Sequence, residues 1–441
     1  MVRDISSIDE PVLDDDEPGI AALPTETREA RSFSFRNTFA SLAYRNFVFL
    51  WLGQMTHAGA LWLEMVARPL LILQLTDSAA QLGMVMALRT VASVTFGMFA
   101  GVVADNFDRR TVMIVTKVLV LGLSIIFAAI LVFGQIEVWH IYLFTLLRGV
   151  TMAFDQPARR AMIPSIVPAH LITNAMTLST GSMQVMRIVG ATAAGFLIGF
   201  AGVEAAFVTI AVVYVLAVIF TLMLRVVPQK RRGERSAKSM GRDLVEGFKY
   251  AWKTPDIRGV LIIALGYFAF AMSFMQVFSP LFATQIMDIG ASGFGFMMAV
   301  AGAGGVLGSL VLATLSPSTH RGMIMMGTLA AVGALLVAFS ASTYLDTVLL
   351  TFGVIAVLGF TQSMFMPLVN TSILHNAPDE MRGRMMGLIS MDRALTAFGG
   401  AIAGFSAAAL GPQVAQIIFG VACVVTAFIM FVAYPSLKRI N

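Results

Sequence analysis

Glu64 and Arg68 stand four residues apart in an otherwise apolar stretch, and His57 precedes Glu64 by seven. On a helix all three share one stripe, and acid before base at this spacing favours an ion pair. Arg89, Arg148, Arg187 and the neighbours Asp392 and Arg393 interrupt other apolar stretches. Gln276 sits in the Met- and Phe-rich run "YFAFAMSFMQVF" at 267–278. A carboxylate beside a guanidinium is either a structural ion pair or a site where a proton and a cation alternate, and Glu64 with Arg68 fits both. Arg148 and Arg187 either pin backbone carbonyls or receive an anion, since a guanidinium keeps its charge and a buried charge needs a partner. His57 reads as an interior hydrogen-bonded histidine or as a member of the same working stripe. The run around Gln276 is an adaptable surface for a bulky apolar molecule or a face packed on other helices. In the first half four arginines, at 68, 89, 148 and 187, stand against one acid at comparable depth, Glu64. That imbalance predicts an anionic or zwitterionic small-molecule ligand.

Enzyme chemistry finds no support in the residue pattern. The five histidines are scattered, Cys423 is the single cysteine, and neither H-E-x-x-H nor G-x-x-x-x-G-K-[ST] occurs. The expectation is therefore no enzyme, no metal, no cofactor and no direct use of ATP.

These side chains need a scaffold, and composition says which kind. With 58% apolar and 12% charged residues over 441 positions, the chain is far more apolar than a soluble domain, and its mean hydropathy is +0.82. Twelve apolar stretches are long enough to span a bilayer: 46–74, 79–104, 111–134, 138–158, 171–200, 203–227, 259–287, 292–316, 320–342, 346–374, 384–410 and 412–436. The fold class expected is an all-α membrane protein. The expected organisation is a polar N-terminal tail over 1–45, including an interfacial segment near 35–47, then a six-helix bundle over 46–227. A basic linker at 228–258, a second six-helix bundle over 259–436 and a short tail at 437–441 follow. No basic n-region with an apolar h-region and cleavage site opens the chain, so no secretory signal is expected.

The loops orient this scaffold. Breaks near 77, 137, 204, 288, 346 and 411 contain no Lys or Arg, while alternate breaks hold Arg109, Arg110, Arg159, Arg160, nine basic residues of the linker, Arg321, Arg382 and Arg384. Basic loops stay in the cytosol, so both termini are expected there, in a multi-pass inner (plasma) membrane protein. The net charge of +5 is thereby explained by topology and gives no reason to expect nucleic acid.

The two halves repeat at an offset of 210 to 212 residues: "RPLLILQLTD" at 68–77 parallels "SPLFATQIMD" at 279–288, and "LGMVMA" at 82 parallels "FGFMMA" at 294. Pro157 and Pro168 are eleven apart, as are Pro367 and Pro378. Six helices per repeat give both copies the same topology. Two bundles related by a pseudo-two-fold axis along the membrane normal follow, with a site between them near the midplane.

Between the second and third spans, "GVVADNFDRR" at 101–110 packs four charges into its last six positions. A sharp turn there needs Gly101 for close packing, and Asp105 can accept hydrogen bonds from free amides at the start of a neighbouring helix. With twelve spans as six plus six and a basic central linker, this segment resembles the signature loop G-x-L-x-D-x-x-G-R-R of the major facilitator superfamily. Gly101, Asp105, Arg109 and Arg110 match it, and Asp108 stands where the pattern has Gly. The segment "FDQPARRAMIPSIVPAHLITNA" at 154–175 is similar to the branch that holds enterobactin exporters and macrolide efflux proteins.

The resemblance implies that helices 1, 2, 4, 5, 7, 8, 10 and 11 line the cavity, and every charge named in the opening paragraph lies on one of them; helices 3, 6, 9 and 12 carry none away from their cytoplasmic ends. It implies a cytoplasmic latch in which Asp105 caps helix 11 near Arg384 and Arg109 pairs with Asp155, contacts that cross between the bundles. Arg110 serves the latch or only retains the loop, and Asp392 with Arg393 belongs to the gate. The function implied is secondary transport by alternating access, as proton-coupled efflux of a siderophore-like or macrolide-like amphiphile. An importer or lipid flippase is the alternative, and a non-transporting membrane sensor is a further one. "RIVGATAAG" at 187–195 has Ala191 where the drug antiporter pattern G-P-x-x-G-G has Pro.

Overall fold

The computed structural model describes residues 39–225, 237–314, 321–345, 347–378, 381, 384, 385, 388, 392–434 and 437. The tail at 1–38, the segment 226–236 and residues 438–441 lie outside the described residues. From Phe39 onward the chain forms one compact unit, and among the described residues it is helical with no strand.

The first half begins with α1 (Arg45–Thr76), α2 (Ala79–Asn106), α3 (Arg109–Phe133) and α4 (Val138–Ile166). A continuous helical stretch, Ile172–Leu222, follows and is broken at Gly202, where φ is 83° and ψ 169°. The arms before and after that break are α5 and α6. The second half holds α7 (Ala237–Lys253), α8 (Pro255–Ile286), α9 (Gly290–Thr314), α10 (Arg321–Ser342), α11 (Val348–Asn376), α12 (Asp392–Leu410) and α13 (Pro412–Ala433). Nine stretches among the described residues are long and apolar enough to cross a bilayer, and one of them, Ala169–Leu222, is the pair α5 and α6. With that pair counted as two, the charge-bearing α4 and the shorter α12 bring the helices other than α7 to twelve among the described residues.

The repeat is visible in the backbone. Asp77 caps α1 with φ 45°, and Asp288, two residues past the end of α8, has φ 48°, both in the left-handed region that L-residues rarely enter. Gly202 and Gly411, both at φ 83°, make the tight breaks between α5 and α6 and between α12 and α13. Only glycine adopts such a φ with ψ near 160° at little cost, so each bundle closes its last helical pair on the same kind of residue.

Several boundaries move. α4 was expected to end at 158 but runs to Ile166 through Pro157 and Pro164. A proline removes one ladder bond, and neighbouring helices hold the rest of the helix in place. The expected linker contains α7, and α8 starts inside it on Pro255, a proline in the first helical turn where no N–H is needed. Along α8 the winding widens to π-helix at Tyr267–Ala271, Phe274–Phe278 and Phe282–Ile286, which hydropathy cannot foretell.

Among the described residues the two largest crossings between the halves are α2 against α12 and α5 against α9. A methyl on Gly404 would run into the backbone of Gly83, and methyls on Gly195 and Gly295 would run into one another's backbone. By the repeat, Gly83 corresponds to Gly295 and Gly195 to Gly404, so both crossings use the same two positions. All four glycines lie toward the face that carries Asp77, Gly202, Asp288 and Gly411, and there the halves meet backbone to backbone. Absent side chains let helices approach this closely in a bilayer.

Candidate functional site: a buried ionic network in the first half

Glu64 lies between two arginines. Its Oε1 is 3.2 Å from Arg68 Nη1, one turn farther along α1, and its Oε2 accepts from Arg148 Nε of α4 at 2.9 Å. Arg68 Nη1 also donates to Thr145 Oγ1 at 3.4 Å. Arg148 Nη2 donates to the Tyr214 hydroxyl, and the guanidinium carbon stands 5.0 Å from that ring's centre. The Tyr214 hydroxyl is in turn 3.2 Å from His57 Nδ1. One hydrogen-bonded chain thus links α1, α4 and α6, with Glu64 and Arg148 each 2% exposed.

Two turns along α4, Asp155 Oδ1 meets Lys117 Nζ at 3.1 Å and accepts from Thr116 Oγ1 at 3.4 Å, both from α3. A small cavity lined by His57, Lys117, Arg148, Thr151, Asp155 and Tyr214 lies between the two groups. The ionic interior therefore holds two carboxylates and three cations in hydrogen-bonding contact. Such groups are costly in a bilayer, and mutual pairing is what makes their burial tolerable.

The second half is packed differently at the same places. In the repeat, His57, Glu64, Arg68, Lys117, Arg148 and Asp155 correspond to Phe268, Met275, Ser279, Leu329, Leu358 and Phe365, and Tyr214 corresponds to Cys423 at the 209-residue offset that relates Gly202 to Gly411. Leu329, Phe365 and Cys423 are each 0% exposed. Where the first bundle is ionic, its copy is uncharged.

Of the expected cavity residues, His57, Glu64, Arg68 and Arg148 come together in this network, and Arg89 and Arg187 do not join it. Arg89 Nη1 reaches across the halves to Gln276 Oε1 at 2.9 Å, inside the second π-helical turn of α8. Arg187 of α5 presses on α9, where Gly305 leaves it room.

The expected gate is partly revised. Gly101 and Asp105 lie on α2, and Asp392 and Arg393 open α12, but the side chains of Asp105, Asp392 and Arg393 are outside the described residues. Arg109 does not pair with Asp155: its Nη1 donates to the Ala161 carbonyl at 2.7 Å, and Lys117 takes the carboxylate. Asp155 is 4% exposed and faces Lys117, two turns farther along α3 than Arg109, and both contacts lie within the first half. Arg110 Nη2 donates to the Leu222 carbonyl at 3.0 Å, satisfying the last turn of α6. Asp108 caps α3 through the Thr111 amide at 2.9 Å, which accounts for an acid where the signature has glycine. Arg384 Nη1 is 3.0 Å from Glu246 Oε2, tying α7 to the segment before α12.

Sequence reasoning missed Lys117 and Tyr214. Lys117 stands eight residues after Arg109, where it was counted with the cytoplasmic end of helix 3, yet it is 2% exposed and paired. Tyr214, in the aliphatic run "AVVYVLAV" on α6, was the polar signal available for the other.

The geometry has relatives. The Staphyloferrin A transporter of Staphylococcus aureus is 23% identical over 411 residues, covering 91% of this chain and 96% of that protein. The Enterobactin exporter EntS of Escherichia coli O1:K1 is 23% identical, covering 85% and 88%. The crystal structure of nucleoside transporter NupG superposes with a TM-score of 0.64 at 17% identity, over 90% of this chain and 99% of that one, a likeness of fold. The family model of the Major Facilitator Superfamily matches residues 50–397. Repeated six-helix bundles, glycine-closed crossings between halves and that match agree: the chain is a multi-pass membrane transporter, not an enzyme, and belongs to the Major Facilitator Superfamily.

Proposed function

We propose that the protein exports a bulky amphiphilic molecule bearing an acidic group, driven by the proton gradient through Glu64, with both termini in the cytoplasm. One observation carries the coupling role. The second half packs with Met275, Leu358 and Phe365 where the first has Glu64, Arg148 and Asp155, so helix packing alone does not demand the charges. Their expense points to work in transport. Arg148 is fixed by Glu64 and Tyr214 together, whereas Arg68 is held by longer contacts, so Arg68 is the arm that leaves. A proton and Arg68 then compete for Oε1 of Glu64. Export requires the cargo to bind when the space between the halves opens to the cytosol and the proton when it opens outward. The names of the exporter relatives support that direction.

A second reading is favoured by the same pair. If a cargo acid takes Arg68, it clears Oε1 for a proton, and by linkage the proton helps the cargo to bind. Cargo and proton then move the same way. Proteoliposomes with an imposed pH gradient test both readings, using amphiphilic acids and their cationic analogues as cargo. Export coupling accumulates the acid on the acidic side, and cotransport accumulates it on the alkaline side. Either is expected to vanish in Glu64→Gln, which keeps the shape and removes the titration. Accumulation unchanged in that variant, or a preference for the cationic analogues, overturns the proposal.

A further inference from the structure

Arg187 enters the second half where Gly305 makes way. A Cβ on Gly305 of α9 would overlap Arg187 Nη2, and the Gly359 carbonyl of α11 lies 3.4 Å from that same point. Ile188 fills the space beside Gly302, one turn away on α9. The guanidinium is thus set into the α9–α11 seam. Its Nε is closed to solvent and has no hydrogen-bond partner among the described residues.

One turn beyond Gly359 on α11, Gln362 shows the same deficiency: its Nε2 is closed to solvent and without a partner. The Gln362 backbone is fixed, because its carbonyl accepts from the Tyr267 hydroxyl at 3.3 Å and Tyr267 stacks on Phe365 at 3.9 Å. Both unpartnered groups are donors. α5, α9 and α11 contain no Asp or Glu to meet them. Leaving a buried donor unsatisfied is costly, and more so for a charged one. Two such donors, one from each half and both beside the Gly359 turn of α11, call for an acceptor that comes from outside the chain.

We infer that Arg187 and Gln362 form a subsite for a carboxylate of the cargo, bridging the two halves. A carboxylate offers two coplanar acceptor oxygens, which suits the planar fork of a guanidinium and leaves a lone pair for the carboxamide. The subsite rests on the transport reading only in lying between the halves; it is independent of Glu64 and of proton coupling. Because one donor comes from α5 and the other from α11, an occupied subsite draws the halves together on that side.

The test uses three matched probes, 2-naphthoate, 2-naphthalenemethanol and 2-naphthylmethylammonium, titrated calorimetrically into the purified full chain with no pH gradient. Wild type is expected to bind the acid at least tenfold tighter than the alcohol, and the ammonium weakest. Arg187→Gln is expected to bring the acid to the alcohol's affinity, Gln362→Leu to weaken it severalfold, and Arg187→Lys to fall between. Melting curves of each variant establish that it is folded. Equal binding of acid and alcohol by wild type overturns the subsite, and so does a full preference retained by folded Arg187→Gln. Since no gradient is applied, failure of proton coupling leaves these outcomes untouched, and failure of the subsite leaves the transport assay to stand by itself.

Discussion

Lys117 and Asp155 form an ion pair, Nζ to Oδ1 at 3.1 Å, with both side chains shut inside the first half. Their counterparts in the second half are Leu329 and Phe365, so the same helical packing exists with and without the pair. Removing one partner leaves a buried charge alone, at a cost of about 3 to 5 kcal/mol, whereas replacing both by apolar residues is often neutral or stabilising. Lys117→Leu and Asp155→Leu are each expected to lower the melting temperature in detergent by several degrees. The double variant Lys117→Leu/Asp155→Leu is expected to regain most of that loss. A double variant less stable than either single one would show that the pair holds the bundle together.

This pair also marks where sequence reading stopped. The long apolar helices and the Glu64 to Arg68 pair were legible because each depends on residues close in sequence. Choosing between Arg109 and Lys117 as the partner of Asp155 was not: they stand eight apart on one helix, and only the depth at which α3 meets α4 separates them. Tyr214 joins Arg148 across 66 residues and His57 across 157, contacts that follow from bundle packing and leave no local pattern. The π-helical turns of α8 likewise depend on tertiary packing.

Orientation can be measured directly. Lys249 is exposed on α7, inside the basic stretch, and Tyr344 is 58% exposed beyond α10, at a turn without Lys or Arg. Single cysteines at 249 and 344, on a Cys423→Ala background, are expected to differ: an impermeant thiol reagent applied to intact cells reaches 344 and spares 249. The reverse pattern would invert the topology.

The glycine crossings should act as a latch on the face opposite the basic loops. Met86 is 2% exposed and packs against Gly400 beside the Gly83 and Gly404 contact. A valine at Gly404 cannot fit against the Gly83 backbone, so the halves must separate there. With Met86→Cys as reporter on the Cys423→Ala background, Gly404→Val is expected to speed labelling from outside by tenfold or more. Gly195→Val, at the matching crossing, is expected to do the same. If both variants label at the parent rate, the crossings do not control access.

The first half's charges can be separated from its fold. Glu64→Met by itself strands Arg68 and Arg148 in the interior, and the expected result is a poorly folded chain, because two guanidiniums lose their carboxylate together. Changing all three positions to their repeat counterparts, as Glu64→Met/Arg68→Ser/Arg148→Leu, removes the charges as a group and leaves Tyr214 and His57 able to bond to each other at 3.2 Å. Side chains of the second half's own choosing fill those places in a bundle of the same topology. The triple variant should therefore reach the membrane, elute as a single species and melt within a few degrees of wild type, while gradient-driven transport disappears. Melting temperature and transport have to be read on the same preparation. A triple variant that folds and still accumulates cargo would show the network to be structural, and one less stable than Glu64→Met would show that the two halves do not obey the same packing rules.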